Sequence, residues 1–283
     1  MKRKPLVAIW IGAVFVLAIA HALADAPEAA ADPSDSGRFV WHDLMTRDVS
    51  AARRFYGDLF GWRFEDTKRG ERPYVLARAA GTPVAGIVDV SAIVNAGAQW
   101  LSFMAVADVD KTVTDAQSNG GKVLVAPRDP LPMARVAVIT DPQGAPLGLA
   151  QLRRDVPDST KPATHQFFWH EYLARDAGHA LDFYKRLVGY ESTITESRLG
   201  VEYHVLRKTR GRAGLFQLPP QAGEVQPNWL PYVLVDDPAA LGARAESLGG
   251  RILVAATPER RKGSLVVIAD PGGAPLALQK YPF

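Results

Sequence analysis

An internal repeat constrains the fold of this 283-residue chain more than any other feature of the sequence. Trp41 and Trp169 are 128 residues apart, and the same spacing separates Asp48 from Asp176. Aromatic, acidic and glycine positions share this offset, which indicates two copies of one structural unit. The chain is long enough for each copy to bury a core of its own. We therefore predict two similar domains.

Within each copy, the same order of elements is predicted twice: a strand, a helix and three strands. The first strand is predicted at Phe39–Met45, where apolar and aromatic residues dominate. Asp48 is placed to cap the helix that follows, and Gly61 is placed to end it. The pattern predicts an α+β protein of four βαβββ modules, paired into two domains.

The N-terminal segment has the three parts of a secretory signal peptide. Basic residues at positions 2–4 precede an apolar run of about 15 residues, and Ala22-Leu23-Ala24 provides a small-residue cleavage site. The run is shorter than the roughly 20 residues of a spanning helix. We predict cleavage after Ala24 and a periplasmic or secreted protein, with an uncleaved membrane anchor as the alternative. The predicted divisions are a signal peptide (1–24), a flexible leader (25–37), domain 1 (38–154), a linker (155–165) and domain 2 (166–283).

Charge and cysteine content exclude several classes of function. The chain has 33 basic and 30 acidic residues, and three of the basic residues lie in the predicted signal peptide. The mature chain is then neutral, so we expect no nucleic-acid partner and no membrane binding after cleavage. Because cysteine is absent, disulfides, thiolate metal sites and cysteine nucleophiles are excluded.

Several motifs occur at matching points of both copies. A Phe-Tyr pair lies in the first helix, a glycine follows that helix, and Asp-Pro-x-Gly precedes the last strand at 141–144 and 270–273. Over residues 38–283 the chain resembles the vicinal oxygen chelate superfamily, which includes glyoxalase I, bleomycin-resistance proteins and extradiol dioxygenases. It is most similar to the tandem glyoxalase-like branch. The resemblance implies two glyoxalase-like half-barrel domains, but one fold supports many chemistries.

In the metal-using members, the resemblance implies ligands on the first and last strands of the modules. The corresponding positions here are Trp41, Trp169, Leu101, Leu230, Gly148 and Ala277, none of which has a metal-binding side chain. His42 and His170 are one residue later, so strand alternation places them on the opposite face, beneath the helices. We therefore predict no cofactor, unless a β-bulge turns these histidines inward. A rearranged divalent-metal site at His170, Glu171 and His204 is the alternative.

With these replacements, the concave face of each half-barrel is predicted to be aromatic. Such a face with a few polar groups suits a small-molecule ligand, and tryptophan rings attract cations. Asp43 and Glu171 are the carboxylates best placed to orient a cationic or hydroxylated molecule. The alternative is that the tryptophans only fill the core. The predicted lining residues are Trp41, Asp43, Trp169 and Glu171, with Trp100, Trp229 and Tyr232 as further candidates.

Three functions remain open from the sequence. The first is an exported, metal-free protein of the glyoxalase/bleomycin-resistance type that binds a small molecule. The second is a metal-dependent lyase, isomerase or dioxygenase, so whether the chain is an enzyme stays open. The third is a structural or partner-binding protein in which both cavities are closed. Either a monomer with paired domains or a homodimer fits the repeat. The basic turns at 207–212 and 260–262 are interpreted as solvated, with an anion site as the alternative.

Overall fold

The structure, a computed structural model, describes residues 36–69, 72–93, 96–131, 134–153, 163–196 and 202–281. The predicted signal peptide lies outside this part of the chain. None of the helices within the described ranges has the length and apolar character needed to cross a membrane.

Within the described residues, sixteen strands and four α-helices follow one another as the repeat predicts. Domain 1 contains β1 (Phe39–Thr46), α1 (Val49–Phe60), β2 (Arg63–Arg69), β3 (Arg72–Ala79), β4 (Thr82–Asp89), β5 (Gln99–Ala105), α2 (Val109–Ser118), β6 (Lys122–Leu131), β7 (Ala134–Thr140) and β8 (Pro146–Leu152). Domain 2 contains β9 (Phe167–Ala174), α3 (Ala177–Val188), β10 (Glu191–Glu196), β11 (Glu202–Arg207), β12 (Gly211–Gln217), β13 (Asn228–Leu234), α4 (Pro238–Ser247), β14 (Arg251–Val254), β15 (Leu265–Ala269) and β16 (Pro275–Gln279).

Each domain is built on one eight-stranded mixed sheet. The order is β2-β3-β4-β1-β5-β8-β7-β6 in domain 1, and domain 2 repeats it as β10-β11-β12-β9-β13-β16-β15-β14. The two modules of a domain meet where β1 pairs with β5 and β9 with β13, both antiparallel. The predicted α+β class and the four βαβββ modules are confirmed.

Local sequence signals set the ends of the first helix in each domain. The Asp48 side chain accepts a hydrogen bond from the Ala51 amide, which satisfies a backbone donor that the helix leaves free. Gly61 ends α1 with φ of 70°, a left-handed conformation in which a side chain is disfavoured. Asp176 and Gly189 do the same for α3. The predicted caps are therefore observed in both copies.

Regular alternation along β1 separates the two faces of the first sheet. The register shift in this strand lies between Phe39 and Trp41, and pairing with β5 is continuous from there to Met45. Trp41 and Asp43 consequently face the concave side, whereas His42 faces the helices. The bulge that would have turned His42 into the cavity is absent from this pairing.

The helix-covered faces of the two domains pack against each other. One buried cluster joins α1 and neighbouring strands of domain 1 to strands β13, β15 and β16 of domain 2. A second cluster joins α2, β7 and β8 of domain 1 to β9 and α3 of domain 2. Both cores are thus shared between domains, and the two concave faces lie on opposite sides of the shared core.

Two buried hydrogen-bond relays cross this interface. In the first, the Trp100 indole donates to Tyr56, whose hydroxyl donates to Asp270 of the other domain, at 3.2 and 3.1 Å. The second relay runs in the opposite direction between domains. Its Trp229 indole donates to Tyr184, whose hydroxyl donates to Asp141, at 2.8 and 3.0 Å.

Both acceptor carboxylates belong to the Asp-Pro-x-Gly turns. Burial raises the pKa of Asp141, although hydrogen bonds from Tyr172, the Ala145 amide and Tyr184 oppose the shift. Removing a buried donor from such a relay leaves polar groups unsatisfied and costs about 1–3 kcal/mol each. The turn motif therefore stabilises the contact between domains as well as its own hairpin.

At the centre of the interface, His42 of one domain meets His170 of the other. Their Nε2 atoms are 2.9 Å apart, so one nitrogen must donate and the other must accept. His42 stacks on Phe167 and His170 stacks on Phe39, at ring centroid distances of 3.8 and 3.7 Å. Burial lowers the pKa of His42 to about 3, with a smaller opposing effect from the Val84 backbone. Burial and the neighbouring His42 also lower the pKa of His170.

The junctions next to the domains are part of the packed structure. Gly37, at the end of the predicted leader, donates its amide to Ala105 and accepts a hydrogen bond from the Tyr190 hydroxyl. His165, at the end of the predicted linker, accepts from the Trp62 indole at 2.9 Å. Residues 154–162, which include most of the predicted linker, lie outside the described residues.

The buried histidine pair predicts a loss of stability in mild acid. Both histidines are more easily protonated in the unfolded chain, so the unfolded state binds more protons as pH falls below about 6.5. The free energy of unfolding should then fall by about 1.4 kcal/mol per histidine for each pH unit below that value. Urea unfolding between pH 7.5 and 5 measures this slope.

The double variant His42→Gln, His170→Gln retains side-chain hydrogen-bonding groups but cannot titrate, so its pH slope should be flatter. His179→Gln is the matched control because His179 is exposed on α3. An unchanged slope in the double variant would show that the pair does not control the acid sensitivity.

Candidate functional site

The concave face of domain 1 is filled by its own side chains. Trp41 and Phe103 are each 2% exposed, and Leu76 is fully buried, within one apolar cluster. Asp43 lies among them, and its Oδ1 accepts from the Trp41 indole at 3.0 Å and from the Tyr74 hydroxyl at 2.8 Å. This face is a closed core with a hydrogen-bonded carboxylate inside it.

The position of the expected metal ligand on β8 has no room for one. A Cβ added at Gly148 would lie 2.3 Å from the Phe103 ring. The aromatic ring therefore occupies the space into which a glutamate at this position would project.

The concave face of domain 2 contains a polar cluster around Glu171. Oε1 of Glu171 accepts from the Tyr203 hydroxyl at 2.8 Å, and Oε2 accepts from the Tyr232 hydroxyl. The Trp169 indole donates to the same Tyr203 hydroxyl at 3.2 Å. Glu171 is 2% exposed, so its charge is nearly desolvated. We call Trp169, Glu171, Tyr203, Tyr232, Arg261 and Gln279 the Glu171 cluster.

Arg261 supplies the positive charge of the cluster from the turn between β14 and β15. Its guanidinium donates through Nη2 to Glu171 and through Nη1 to the side-chain Oε1 of Gln279, the second at 2.8 Å. Its Cζ atom also lies 5.6 Å from the centroid of the Tyr203 ring and 5.6 Å from that of Tyr232. The cation is thus held by a carboxylate, an amide and two aromatic faces.

Burial and charge act in opposite directions on the ionisable groups of this cluster. Burial alone would lower the pKa of Arg261, but attraction to Glu171 outweighs it, so this pKa lies above its usual value. Burial raises the pKa of Tyr203, and the Glu171 carboxylate raises it further. Burial and the same carboxylate also raise the pKa of Tyr232. The phenols therefore remain neutral donors to a charged ion pair.

The two concave faces differ at matching positions. Tyr232 stands where domain 1 has Phe103, and Gln279 stands where it has Ala150. Trp169 is half-buried, whereas its counterpart Trp41 is almost completely buried. At these positions domain 2 has more polar side chains than domain 1, and its tryptophan is more exposed.

A surface cleft of about 340 Å³ lies away from both concave faces, beside the C-terminal end of α1. It is lined by Phe60, Gly61, Arg63, Ala79, Ala80, Gly81, Thr164 and His165. No carboxylate is among these lining residues. The Glu171 cluster offers more functional groups in a defined geometry, and we take it as the candidate site.

Four of the predicted lining residues come together in pairs, as the sequence indicated. Trp41 lies with Asp43 in domain 1, and Trp169 lies with Glu171 in domain 2. Tyr232, a further candidate, directly contacts Glu171.

Two predicted lining residues, Trp100 and Trp229, are instead on the helix-covered face. Trp100 pairs with Leu44 across the strands and packs in the shared core, where its indole donates to Tyr56. Trp229 pairs with Tyr172 in the same manner. Because neighbouring residues of a strand face opposite sides, a shift of one position separates these tryptophans from Leu101 and Leu230 on the concave side. Their assignment to the cavity is corrected.

The alternative metal set is not assembled in this structure. Glu171 faces the concave side, whereas His170 faces the interface between domains. His204 also lies on the helix side, two strands away from β9, which is a separation of roughly 10 Å. Among the described residues, no group of three or more His, Asp or Glu side chains is placed to hold a metal ion.

Sequence reasoning missed Arg261, Tyr203 and Gln279. The interpretation of residues 260–262 as a solvated turn is wrong for Arg261, whose side chain is 23% exposed and pairs with Glu171. Tyr203 had a repeat signal, since it is 129 residues after Tyr74, which contacts Asp43. Gln279 replaces a small residue of the first copy, and that difference was the available signal.

Comparison with known proteins assigns the chain to a family. Residues 38–149 match the model of the glyoxalase/bleomycin resistance protein/dioxygenase superfamily, and residues 156–279 match a glyoxalase-like domain. The chain is 34% identical over 244 residues to CFP32 of Mycobacterium bovis, a protein provisionally named as a glyoxylase. This match covers 85% of the chain and 93% of CFP32. The chain belongs to the glyoxalase/bleomycin resistance protein/dioxygenase superfamily, which confirms the resemblance.

Other relatives have different named roles. DauV of a Streptomyces species, named as an anthracycline biosynthesis protein, is 30% identical over 84% of this chain and 91% of DauV. A Mn(II)-bound glyoxalase from Novosphingobium aromaticivorans has a TM-score of 0.56 at 14% identity, over 87% of this chain and 82% of that protein. A trihydroxybiphenyl dioxygenase from Sphingomonas wittichii has the same TM-score at 12% identity, over 87% and 90%. The structural matches support the fold alone.

The difference between the two faces predicts unequal effects of matched tryptophan substitutions. Trp41→Ala removes a fully packed ring and should lower the free energy of unfolding by about 3–5 kcal/mol. Trp169→Ala removes a half-buried ring and should cost about half as much or less. Urea unfolding of both variants, with circular dichroism as the signal, makes the comparison. Equal costs would show that the second face is as tightly packed as the first.

Proposed function

We propose that this chain binds a small molecule at the Glu171 cluster on the concave face of domain 2, without a resident metal. The observation that supports the proposal most directly is the desolvated Glu171 carboxylate, surrounded by two phenols and a half-buried tryptophan. Aromatic walls with a few convergent polar groups are typical of small-molecule sites. The closed core of domain 1 leaves domain 2 as the binding domain.

The ligand class follows from the lining of the site. A carboxylate and phenol hydroxyls can bind a cationic or hydroxylated group, while the faces of Trp169 and Tyr203 can stack on an aromatic body. The relationship to DauV and to a second Streptomyces protein named for anthracycline biosynthesis, DnrV, is compatible with a partly aromatic ligand. We therefore propose a small molecule that combines an aromatic part with a polar or positively charged group.

A divalent metal does not fit the residues of this site. The donor set has one carboxylate, and that carboxylate already pairs with the Arg261 guanidinium. A divalent ion beside a guanidinium would meet strong repulsion at such short range. Ala277, at the position of the expected glutamate, pairs with Tyr232 across the strands and provides no ligand atom. Because the metal does not fit, no reaction step through it is derived.

The second candidate function is a metal-dependent lyase, isomerase or dioxygenase. It is favoured by structural neighbours with such chemistry in their names, including the Mn(II)-bound glyoxalase. In this chain it requires ligands other than His170, Glu171 and His204 in their present positions, because the sheet separates the carboxylate from both histidines.

A ligand screen tests the binding proposal. Residues 25–283, purified without a chelator, are titrated with small aromatic and cationic compounds while tryptophan fluorescence and melting temperature are recorded. We expect at least one ligand whose affinity falls about tenfold or more in Glu171→Gln and in Trp169→Phe. Glu202→Gln, which neutralises an exposed carboxylate on β11, is the matched control and should retain affinity.

Two results would contradict this proposal. One is a ligand whose affinity depends on Asp43 instead of Glu171, because the site would then be in domain 1. The other is stoichiometric zinc, iron or manganese in the purified protein, with a metal-dependent rise in melting temperature. The second result would favour the enzyme.

We also propose that the protein is exported after removal of residues 1–24, on the basis of the basic, apolar and small-residue segments of that region. Expression of the full-length chain in a bacterial host should give a periplasmic or secreted protein whose N-terminal residue is Asp25. Edman sequencing of the protein from each cell fraction identifies its N-terminal residue. Retention of Met1 in the membrane fraction would favour the uncleaved anchor.

A further inference from the structure

We propose that the other residues of the Glu171 cluster form a cage for an organic monocation and that Arg261 is the resident occupant of this cage. The ligand binds by displacing the Arg261 side chain. This inference rests on the proposed function and makes it more specific. It names a planar cation, such as an amidinium or guanidinium on a flat apolar body, as the ligand class. It also makes the turn that carries Arg261 the gate of the site.

The cage fits a planar cation. The two terminal nitrogens of Arg261 donate to different acceptors, the Glu171 carboxylate and the side-chain amide oxygen of Gln279. Tyr203 and Tyr232 both present ring faces to the guanidinium carbon at 5.6 Å. Amidinium and guanidinium groups share a planar, forked arrangement of N–H donors. Either group can therefore donate to two acceptors while its flat face contacts aromatic rings.

The Glu171 carboxylate requires a cation in this environment. Its side chain is 3% exposed, and a buried carboxylate without a partner is costly. Two phenols donate to it, but they are neutral, so the countercharge comes from the guanidinium. Any ligand that displaces Arg261 must therefore bring a positive charge, which excludes anions and disfavours neutral molecules.

The turn that carries Arg261 lies outside the strands, and Ser264 at its end hydrogen-bonds to Gln279 and Lys280. Arg261–Gly263 form a short 3-10 turn between β14 and β15, closed by local hydrogen bonds from the Gly263 and Ser264 amides. Arg261 and Lys262 both have left-handed backbones, with φ of 48° and 53°. Such conformations cost roughly 1 kcal/mol or more for each non-glycine residue. The contacts of the guanidinium offset this strain, so the turn relaxes when the side chain leaves.

The proposed exchange involves no covalent step. In the closed state, Arg261 fills the cage. In the bound state, the ligand cation takes over the contacts to Glu171 and Gln279, and its apolar body lies against Trp169. Because both states satisfy Glu171, the exchange leaves no buried charge unpaired.

The test uses benzamidinium, a planar aromatic monocation, with neutral benzamide and anionic benzoate as matched probes. Arg261→Gln empties the cage of positive charge and keeps a polar side chain of similar reach. Arg260→Gln removes the same charge from the same turn without touching Glu171, because Arg260 bonds to the Ala255 carbonyl. Titrations followed by tryptophan fluorescence and melting temperature are made on wild type and both variants of residues 25–283.

We expect Arg261→Gln to bind benzamidinium at least tenfold more tightly than wild type and Arg260→Gln do. Benzamidinium should also restore part of the melting temperature that Arg261→Gln loses, and the further change Glu171→Gln should abolish both effects. Arg261→Met, which keeps an apolar stem in the cage, provides the same comparison if Arg261→Gln loses its folded circular dichroism signal.

Three outcomes would overturn the inference: an equal gain in Arg260→Gln, benzamide binding as tightly as benzamidinium, or folded Arg261 variants that gain no affinity. The experiment also distinguishes a failure of this inference from a failure of the proposed function. A neutral aromatic ligand that needs Trp169 and Glu171 would leave the binding site in place and reject the cation cage. Absence of any Glu171-dependent ligand would reject both.

Discussion

The contact between the helix-covered faces of the two domains is the constraint on which the rest of the structure depends. It buries the Trp100–Tyr56–Asp270 and Trp229–Tyr184–Asp141 relays, which run in opposite directions across the interface. Each carboxylate belongs to a hairpin turn of one domain and accepts from a tyrosine of the other. Because these relays are buried, a substitution that removes one partner would leave a buried polar group unsatisfied, at a cost of about 1–3 kcal/mol. The interface therefore fixes which faces remain for binding.

With the helix faces paired, the concave faces lie outside the shared core, and the two copies differ in how their side chains fill them. In the first copy, Trp41, Phe103 and Leu76 pack in one buried cluster, and Asp43 accepts hydrogen bonds from Trp41 and Tyr74. In the second, a phenol and an amide replace apolar residues, and Arg261 enters from a turn. Duplication thus provides one domain that is a packed support and one that retains a polar site. If domain 2 binds a ligand as proposed, substitutions in the two domains should change stability and binding separately.

The sequence predicted the features that depend on local interactions. Asp48 and Gly61 identified the ends of α1, and the repeat predicted the same ends for α3, because capping involves residues a few positions apart. It also placed His42 beneath the helices by strand alternation. It did not predict that His42 would meet His170, because the pairing of two helix-covered faces depends on shape over the entire interface. The error at Trp100 has a similar origin, since one step along a strand reverses the face.

The candidate site was predictable in part for the same reason. Trp169 and Glu171 lie two residues apart on one strand, so their shared face followed from the sequence. Arg261 is 90 residues from Glu171 along the chain, and its turn has a basic composition typical of solvated loops. The turn has left-handed backbone conformations at Arg261 and Lys262, and the Arg261 guanidinium contacts the carboxylate. Such a long-range contact leaves no local pattern in the sequence.

The central claim is that the two domains differ in function, with domain 1 closed and domain 2 able to bind. Fluorine NMR of protein labelled with 5-fluorotryptophan tests it most directly, because Trp41 and Trp169 report on the two concave faces in one sample. Resonances are assigned by Trp→Phe variants, and benzamidinium is added to Arg261→Gln. The account predicts a saturable shift of the Trp169 resonance and an unchanged Trp41 resonance. A shift of Trp41 alone, or equal shifts of both, would contradict it.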